Sequence, residues 1–389
     1  MTKKWSSRLT FFAFVVLMVG LGSNDSLRGI FSTIFQEHFS LTTTQLGLIV
    51  TASYIGNLVF LLVGGNLSTR FSKKRVLQVL ILIWMAALAL FAFTSNYTVL
   101  LIGMALALGS STLLNTTMNL ITPLLFATAP GFFVNFLFFT QEIGTSGSQY
   151  ILGSHADGFA FWQHTNLVLL ILGAVAFVLL LFCNVPEEAA APADAPAQKG
   201  GYDWRIIVPY VLVFGFYFIA EHGVMNWMVA YGVDGLGLPQ ASAAKYLSVF
   251  FGGMMIGRLC LSPLVDKLGA LKSLAAFGGV SCVLYLIGSL GGAVTMPIWA
   301  ISGLSFSILY PTLVMSIRLY FPAQQVSGAA GTILSIASLA DILFNVGFGK
   351  LVDMTGYAVS IRVLPLSALA FFIVFILFTK FCKPTQNLK

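Results

Sequence analysis

The sequence predicts an all-α membrane protein of twelve transmembrane helices in two six-helix halves, and three observations lead there. Hydrophobic residues make up 58% of the chain and charged residues only 8%, about a third of the charge that a soluble domain carries. Twelve segments are each long and apolar enough to cross a hydrocarbon core about 30 Å thick. One polar stretch, Pro186 to Asp203 (PEEAAAPADAPAQKGGYD), is long enough to be a linker, and it follows the sixth segment. The expected organisation is a six-helix bundle over 1–185, a flexible or partly helical cytoplasmic linker over 186–204 and a second bundle over 205–389.

In chain order the spans are 9–34, 44–66, 76–95, 98–126, 131–153, 165–184, 205–231, 242–264, 271–290, 296–318, 328–350 and 363–380. Span 1 sits behind Lys3, Lys4 and Arg8 as a cleavable leader would. Its apolar character continues past Gly22, however, and eleven further spans follow. Spans 3, 6, 9 and 12 carry no charge at their centres and are expected to face lipid. Spans 4 and 5 carry amides: Asn115 and Asn119 on one, Gln141 beside Glu142 on the other, with Thr145 and Gln149 further along. Spans 8 and 11 hold glycine clusters, Gly252, Gly253 and Gly257 and then Gly328 to Gly331, which allow close helix approach.

Basic residues set the orientation, because positive charge is retained on the cytoplasmic side. With the N-terminus inside, the inner side collects Lys3, Lys4, Arg8, Arg70, Lys73, Lys74, Arg75, Lys199, Arg205, Arg258, Lys267, Lys272, Arg318, Lys380, Lys383 and Lys389. The outer side holds Lys245, Lys350 and Arg362. Both termini are therefore expected in the cytoplasm of a cell with this chain in its inner or plasma membrane. The net charge of +7 follows from that topology and gives no reason to invoke nucleic acid. The four cysteines stand singly without metal-ligand spacing, and no phosphate-binding loop, dinucleotide fingerprint or hydrolase signature occurs. No enzyme activity, cofactor or metal is expected, and energy for any work must come from a gradient.

Four carboxylates fall near the middle of spans: Asp25, Glu142, Glu221 and Asp341, on spans 1, 5, 7 and 11. Inserting an ionisable group at the bilayer centre costs at least about 2.5 kcal/mol, so a chain that keeps four is expected to use them. The function class this implies is a membrane transporter. Asp25 and Arg28 share a helix face, so an ion pair between them is available. It reads either as a proton- or substrate-linked switch, with Gly22 and Asn24 making a polar, accessible turn, or as a static pair that lowers the insertion cost. Glu221, one turn after Tyr217 and next to His222, reads as coupling group or as hydrogen-bonded glue.

The halves echo each other. Gly65 to Arg75 reads GNLSTRFSKKR and Ser262 to Lys272 reads SPLVDKLGALK, an offset of 197 positions that also carries Asp25 onto His222. Such parallel repeats characterise many transporters.

The first loop resembles the signature of the major facilitator superfamily, a Gly four residues before Asp-Arg, then any residue, Gly and a basic run. Gly65, Arg70, Lys73, Lys74 and Arg75 match it, with Thr69 in place of the acid and Ser72 in place of the glycine. The second copy keeps Asp266, Lys267 and Gly269 behind Gly257-Arg258. The resemblance implies the twelve-helix major facilitator fold and a cytoplasmic gate at Gly65, Arg70, Arg258, Asp266 and Lys267, whose basic members are also ordinary topology anchors. Within that superfamily the first half is similar to the fucose permease family, through GLGSNDSLRGIFSTIFQEHFSLTTTQLGLIVTASYIGNLVFLLVGG. In the second half, AEHGVMNWMVAYGVDGLGL resembles that family's seventh helix. The family's helix-one proton site carries over to Asp25, whereas its helix-four acid has no counterpart, span 4 offering Asn115 and Asn119.

These readings converge on proton-coupled symport of a small polar solute such as a sugar by a monomer in the bilayer, with sodium as the alternative ion. Proton-coupled export of amphipathic or drug-like compounds is the alternative function. The expected coupling group is Asp25 with Arg28, Glu221, Glu142 and Asp341. The expected solute contacts are Asn24, Asn57, Asn115, Asn119, Gln141, Asn226 and Asn345, amides that both donate and accept without net charge. Trp227 and Tyr310 offer rings for a sugar's apolar face, or serve as interfacial anchors.

Overall fold

The computed structural model describes residues 3–126, 130–186 and 202–384, with the side chains of 3–6, 63–70, 123, 130–132, 135, 262, 266, 323, 324 and 327 outside the description. Its twelve spanning helices are α1 Lys3–Ile30, α2 Thr43–Arg70, α3 Lys73–Phe93, α4 Tyr97–Leu125, α5 Pro130–Ile151, α6 Phe159–Leu181, α7 Trp204–Ala230, α8 Gln240–Leu268, α9 Ala270–Leu290, α10 Met296–Leu319, α11 Ala323–Thr355 and α12 Val363–Phe381. In hydrocarbon every backbone N–H and C=O must be satisfied within the segment, which selects helices. Among the described residues there is no strand. Eleven spanning segments among the described residues meet both length and apolarity for crossing a membrane. The other, α5, is long enough but carries the polar run from Thr140 to Gln149.

Polar residues between the spans start several helices. Ser72, Asn96 and Asp203 each turn a side-chain oxygen onto an early backbone N–H of α3, α4 and α7, satisfying donors that have no partner inside the helix. The chain departs from the twelve expected spans at several helix ends, α6 for one starting at Phe159 and not at 165, and three departures bear on the architecture. Span 1 does not run to residue 34: α1 ends at Ile30 and a short helix, Ser32–Phe39, follows, burying Ile34 and Phe35 while exposing Glu37 and His38. Ser40, left-handed at φ 51°, closes it. α10 is broken into Met296–Ile301, Gly303–Phe306 and Leu309–Ser316. A Cβ on Gly303 would meet the Phe250 carbonyl oxygen at 1.9 Å, so this break lies where α10 and α8 touch backbone to backbone. α11 runs on to Thr355, past residue 350, and carries Asp353 near its end.

The chain divides into two compact units, Met1–Leu41 with Leu48–Gln198, and Thr42–Gly47 with Lys199–Lys389. The second takes in the first turn of α2 because Asp353 accepts hydrogen bonds from the Thr43 and Thr44 amides at 2.8 and 2.7 Å, a carboxylate placed where a helix N-terminus favours negative charge. Most of the expected linker, residues 187–201, lies outside the described residues. α6, α9 and α12 carry exposed apolar side chains such as Ile171, Val175, Val283, Ile287, Ile373 and Leu377.

Candidate polar sites in the two units

In the first unit, glycines place α1. A Cβ on Gly22 would meet the Gln141 carbonyl oxygen at 2.1 Å, and one on Gly144 would meet that of Val19 at 2.1 Å. Small residues at these positions let α1 and α5 approach backbone to backbone. Gly22 is therefore a buried packing position in a continuous helix, and the accessible turn expected there does not form. Ser23 and Thr145 bridge the same contact, the Thr145 hydroxyl donating to the Gly22 carbonyl at 3.2 Å and the Ser23 hydroxyl to that of Gly144 at 3.3 Å.

With α1 fixed against α5, its polar residues part ways. Asn24 accepts from the indole N–H of Trp84 on α3 at 3.2 Å and is buried, an internal tie between helices. Asp25 accepts through Oδ2 from the Ser111 hydroxyl on α4 at 3.0 Å, and its buried Oδ1 has no partner. Ser111, Asn115 and Asn119 stand four apart, on one face of α4. The Asn119 amide donates to Asn115 at 2.6 Å, and the Asn115 amide donates to Gln141 on α5 at 2.6 Å. Glu142 follows on α5, half-buried. On α2, the buried Oδ1 of Asn57 has no partner.

The available ion pair between Asp25 and Arg28 is not formed. Arg28 lies near enough to act on Asp25 through space, but its guanidinium sits over the ring of Tyr54 on α2, 5.6 Å from the centroid. The result is a partly hydrogen-bonded acid beside a buried cation.

The second unit resolves its charges differently. His222 on α7 donates from Nδ1 to Oδ2 of Asp341 on α11 at 2.8 Å, with the Asp341 side chain 2% exposed and that of His222 24%. The imidazole stacks on Phe218, 5.3 Å between centroids and 5° between planes. Four residues beyond Asp341, Asn345 donates to the Asp341 backbone carbonyl at 2.7 Å and accepts from the Trp227 indole N–H at 2.8 Å. Trp227 and Asn345 are fully buried. These two bridges, from His222 and Trp227, join α7 to α11.

Glu221 points into a tyrosine cluster, its charge acting on Tyr217, Tyr285 and Tyr310, while that of Arg258 opposes it at Tyr217 and Tyr310. Tyr310, near the start of the Leu309–Ser316 piece of α10, stacks on Tyr217 at 6.0 Å and packs against Phe218 at 6.2 Å. Arg258, expected at a gate, is half-buried beside this cluster, and Lys267 is exposed. Gly65, Arg70 and Asp266 lie outside the described side chains. Asn226 is buried on α7.

Sequence reasoning missed Ser111 and Tyr54, and left His222 out of the site although the repeat offset landed on it. The four-residue spacing of Ser111, Asn115 and Asn119 was the available signal for the serine. Nothing in the sequence places Tyr54 against Arg28.

Comparison with known proteins fits this architecture. The chain is 24% identical over 333 residues to the L-fucose-proton symporter of Escherichia coli, covering 74% of this chain and 75% of that protein. It is 27% identical over 344 residues to a glucose/galactose transporter of Brucella abortus, covering 82% and 81%. Among solved structures, a D-xylose-proton symporter superposes with a TM-score of 0.78 at 15% identity over 100% of both chains, a likeness of fold. Residues 10–340 match the model of the Major Facilitator Superfamily, and the chain belongs to that superfamily of integral, multi-pass membrane transporters.

Proposed function

We propose that the chain is a proton-coupled symporter of a small polar solute such as a sugar, working by alternating access. In this reading it is a monomer in the cell membrane with both termini cytoplasmic. The observation that carries it is the polar array of the first unit, in which Asp25 on α1 accepts from Ser111 on α4, and that face of α4 continues through Asn115, bonded to Gln141 on α5, to Asn119. Neutral amides linked in this way present donors and acceptors at once, the chemistry a hydroxylated solute requires.

Asp25 is the proton carrier. Ser111 occupies Oδ2 and leaves Oδ1 open, so a proton on Oδ1 would neutralise the acid without breaking the bond that positions it. Relatives named for fucose and for glucose and galactose support a sugar as the solute. Sodium is the weaker choice, because a cation of that kind gathers several oxygens around one point and the Ser111 hydroxyl donates to Asp25.

The test is uptake into proteoliposomes with one inward ion gradient imposed at a time. The proposal expects a proton gradient to drive sugar accumulation and Asp25→Asn to stop it. Accumulation driven by sodium at equal pH on both sides, with no response to a proton gradient, overturns the assignment.

A further inference from the structure

We propose that Arg28 receives the carboxylate of the transported solute, so that the solute is an acid of sugar size. The inference rests on the reading of the chain as a carrier of small polar solutes and narrows its chemical class. Arg28 is 6% exposed in the last turn of the spanning helix α1. Among the described residues its guanidinium makes no hydrogen bond and no ion pair, and its Nε is buried without a partner. The acid three residues away, Asp25, directs Oδ2 to Ser111. A buried cation left in this state is costly unless something completes it.

The geometry shows what is missing. Arg28 Cζ lies over the ring of Tyr54, 5.6 Å from its centroid, a contact that attracts the charge but satisfies none of the guanidinium N–H groups as an oxygen acceptor would. Arginine carries five such donors in a planar fork, and a carboxylate matches two of them at once. A phosphate ester would bring up to two negative charges against a single guanidinium with Asp25 beside it, so a monocarboxylate fits the charge better. Neutral partners for the rest of the solute stand on neighbouring helices of the same unit. Asn57 follows Tyr54 by three residues on α2, with Oδ1 unpartnered, and Asn115 with Gln141 links α4 to α5.

The experiment measures binding of matched probes to the purified full chain by tryptophan fluorescence: glucose against glucuronate and galactose against galacturonate, with each acid also presented as its methyl ester. For at least one pair the acid should bind at least about tenfold more tightly than both the neutral sugar and the ester. Arg28→Gln should remove that advantage and Arg28→Lys should keep part of it, since the charge stays while the fork is lost. The ester comparison uses the unaltered protein and does not depend on any variant folding. A neutral sugar or ester that binds as tightly as its acid, or an advantage that survives Arg28→Gln, overturns the inference while leaving a sugar carrier in place. If no member of either pair binds, both the inference and the sugar reading fall.

Discussion

Helices α1 and α7 occupy corresponding positions in the two halves, 197 residues apart, yet they treat their charges in opposite ways. On α7 the acid is closed off by a bridge: His222 meets Oδ2 of Asp341 at 2.8 Å, while Oδ1 of Asp341 stays buried without a partner, and Trp227 with Asn345 repeats the link one turn on. On α1 the charge is open: Asp25 holds only Ser111, and Arg28 holds only the face of Tyr54. The difference teaches where work and support are divided. A polar bridge between two helices fixes one against the other, whereas a buried cation and acid that form no ion pair with each other are available to a solute and a proton. In this account α1 does the coupling and the α7–α11 bridge holds its unit together.

The largest expected effect follows from Asp25. Asp25→Asn keeps the shape and the Ser111 contact but removes the titrating group, so gradient-driven accumulation should fall to background while the protein still reaches the membrane, measured by uptake alongside surface labelling. Next comes the packing that presents it. Gly144→Val places a side chain where even a Cβ lies 2.1 Å from the Val19 carbonyl oxygen. This should lower both the thermal midpoint and the yield of folded protein, and an unchanged midpoint would mean that α1 and α5 do not need that contact.

Exchanging the α1 pair, as Asp25→Arg with Arg28→Asp, sharpens the contrast further. A static pair would tolerate the exchange and recover the transport lost in each single variant. The open arrangement expects folding to recover at most, with transport still absent, because the carboxylate has moved nearly one helical turn from Ser111. The smallest effect belongs to the closed side. Trp227→Phe deletes the indole bond to Asn345 while keeping most of the ring packing, and should cost about 1 kcal/mol, the scale of an interhelical hydrogen bond inside a membrane protein. A denaturation series in detergent measures it, and transport per folded molecule should stay near that of the parent.

Much of this was legible in the sequence because the bilayer simplifies folding. Each spanning helix overlaps its expected segment, since length and apolarity alone decide where a helix can cross. What escaped were the interruptions that packing imposes inside an apolar run: the end of α1 at Ile30 and the breaks of α10 near Ser302 and Ser307. The polar array on α4 and α5 was visible as amides at helical spacing. Its partners were not, because a serine such as Ser111 or an indole such as Trp84 gives no sign of which helix it will meet. The same gap explains why Asn24, Trp227 and Asn345, expected to contact solute, turn out to bond within the protein.

The division between an open α1 and a closed α7 is tested most directly by comparing Asp25→Asn with Asp341→Asn in proteoliposomes under an inward proton gradient. Both changes remove one intramembrane acid and keep its size, and an asparagine at 341 can still accept from His222. The account expects Asp25→Asn to abolish accumulation and Asp341→Asn to retain most of it. Abolished accumulation in Asp341→Asn, or normal accumulation in Asp25→Asn, would contradict it.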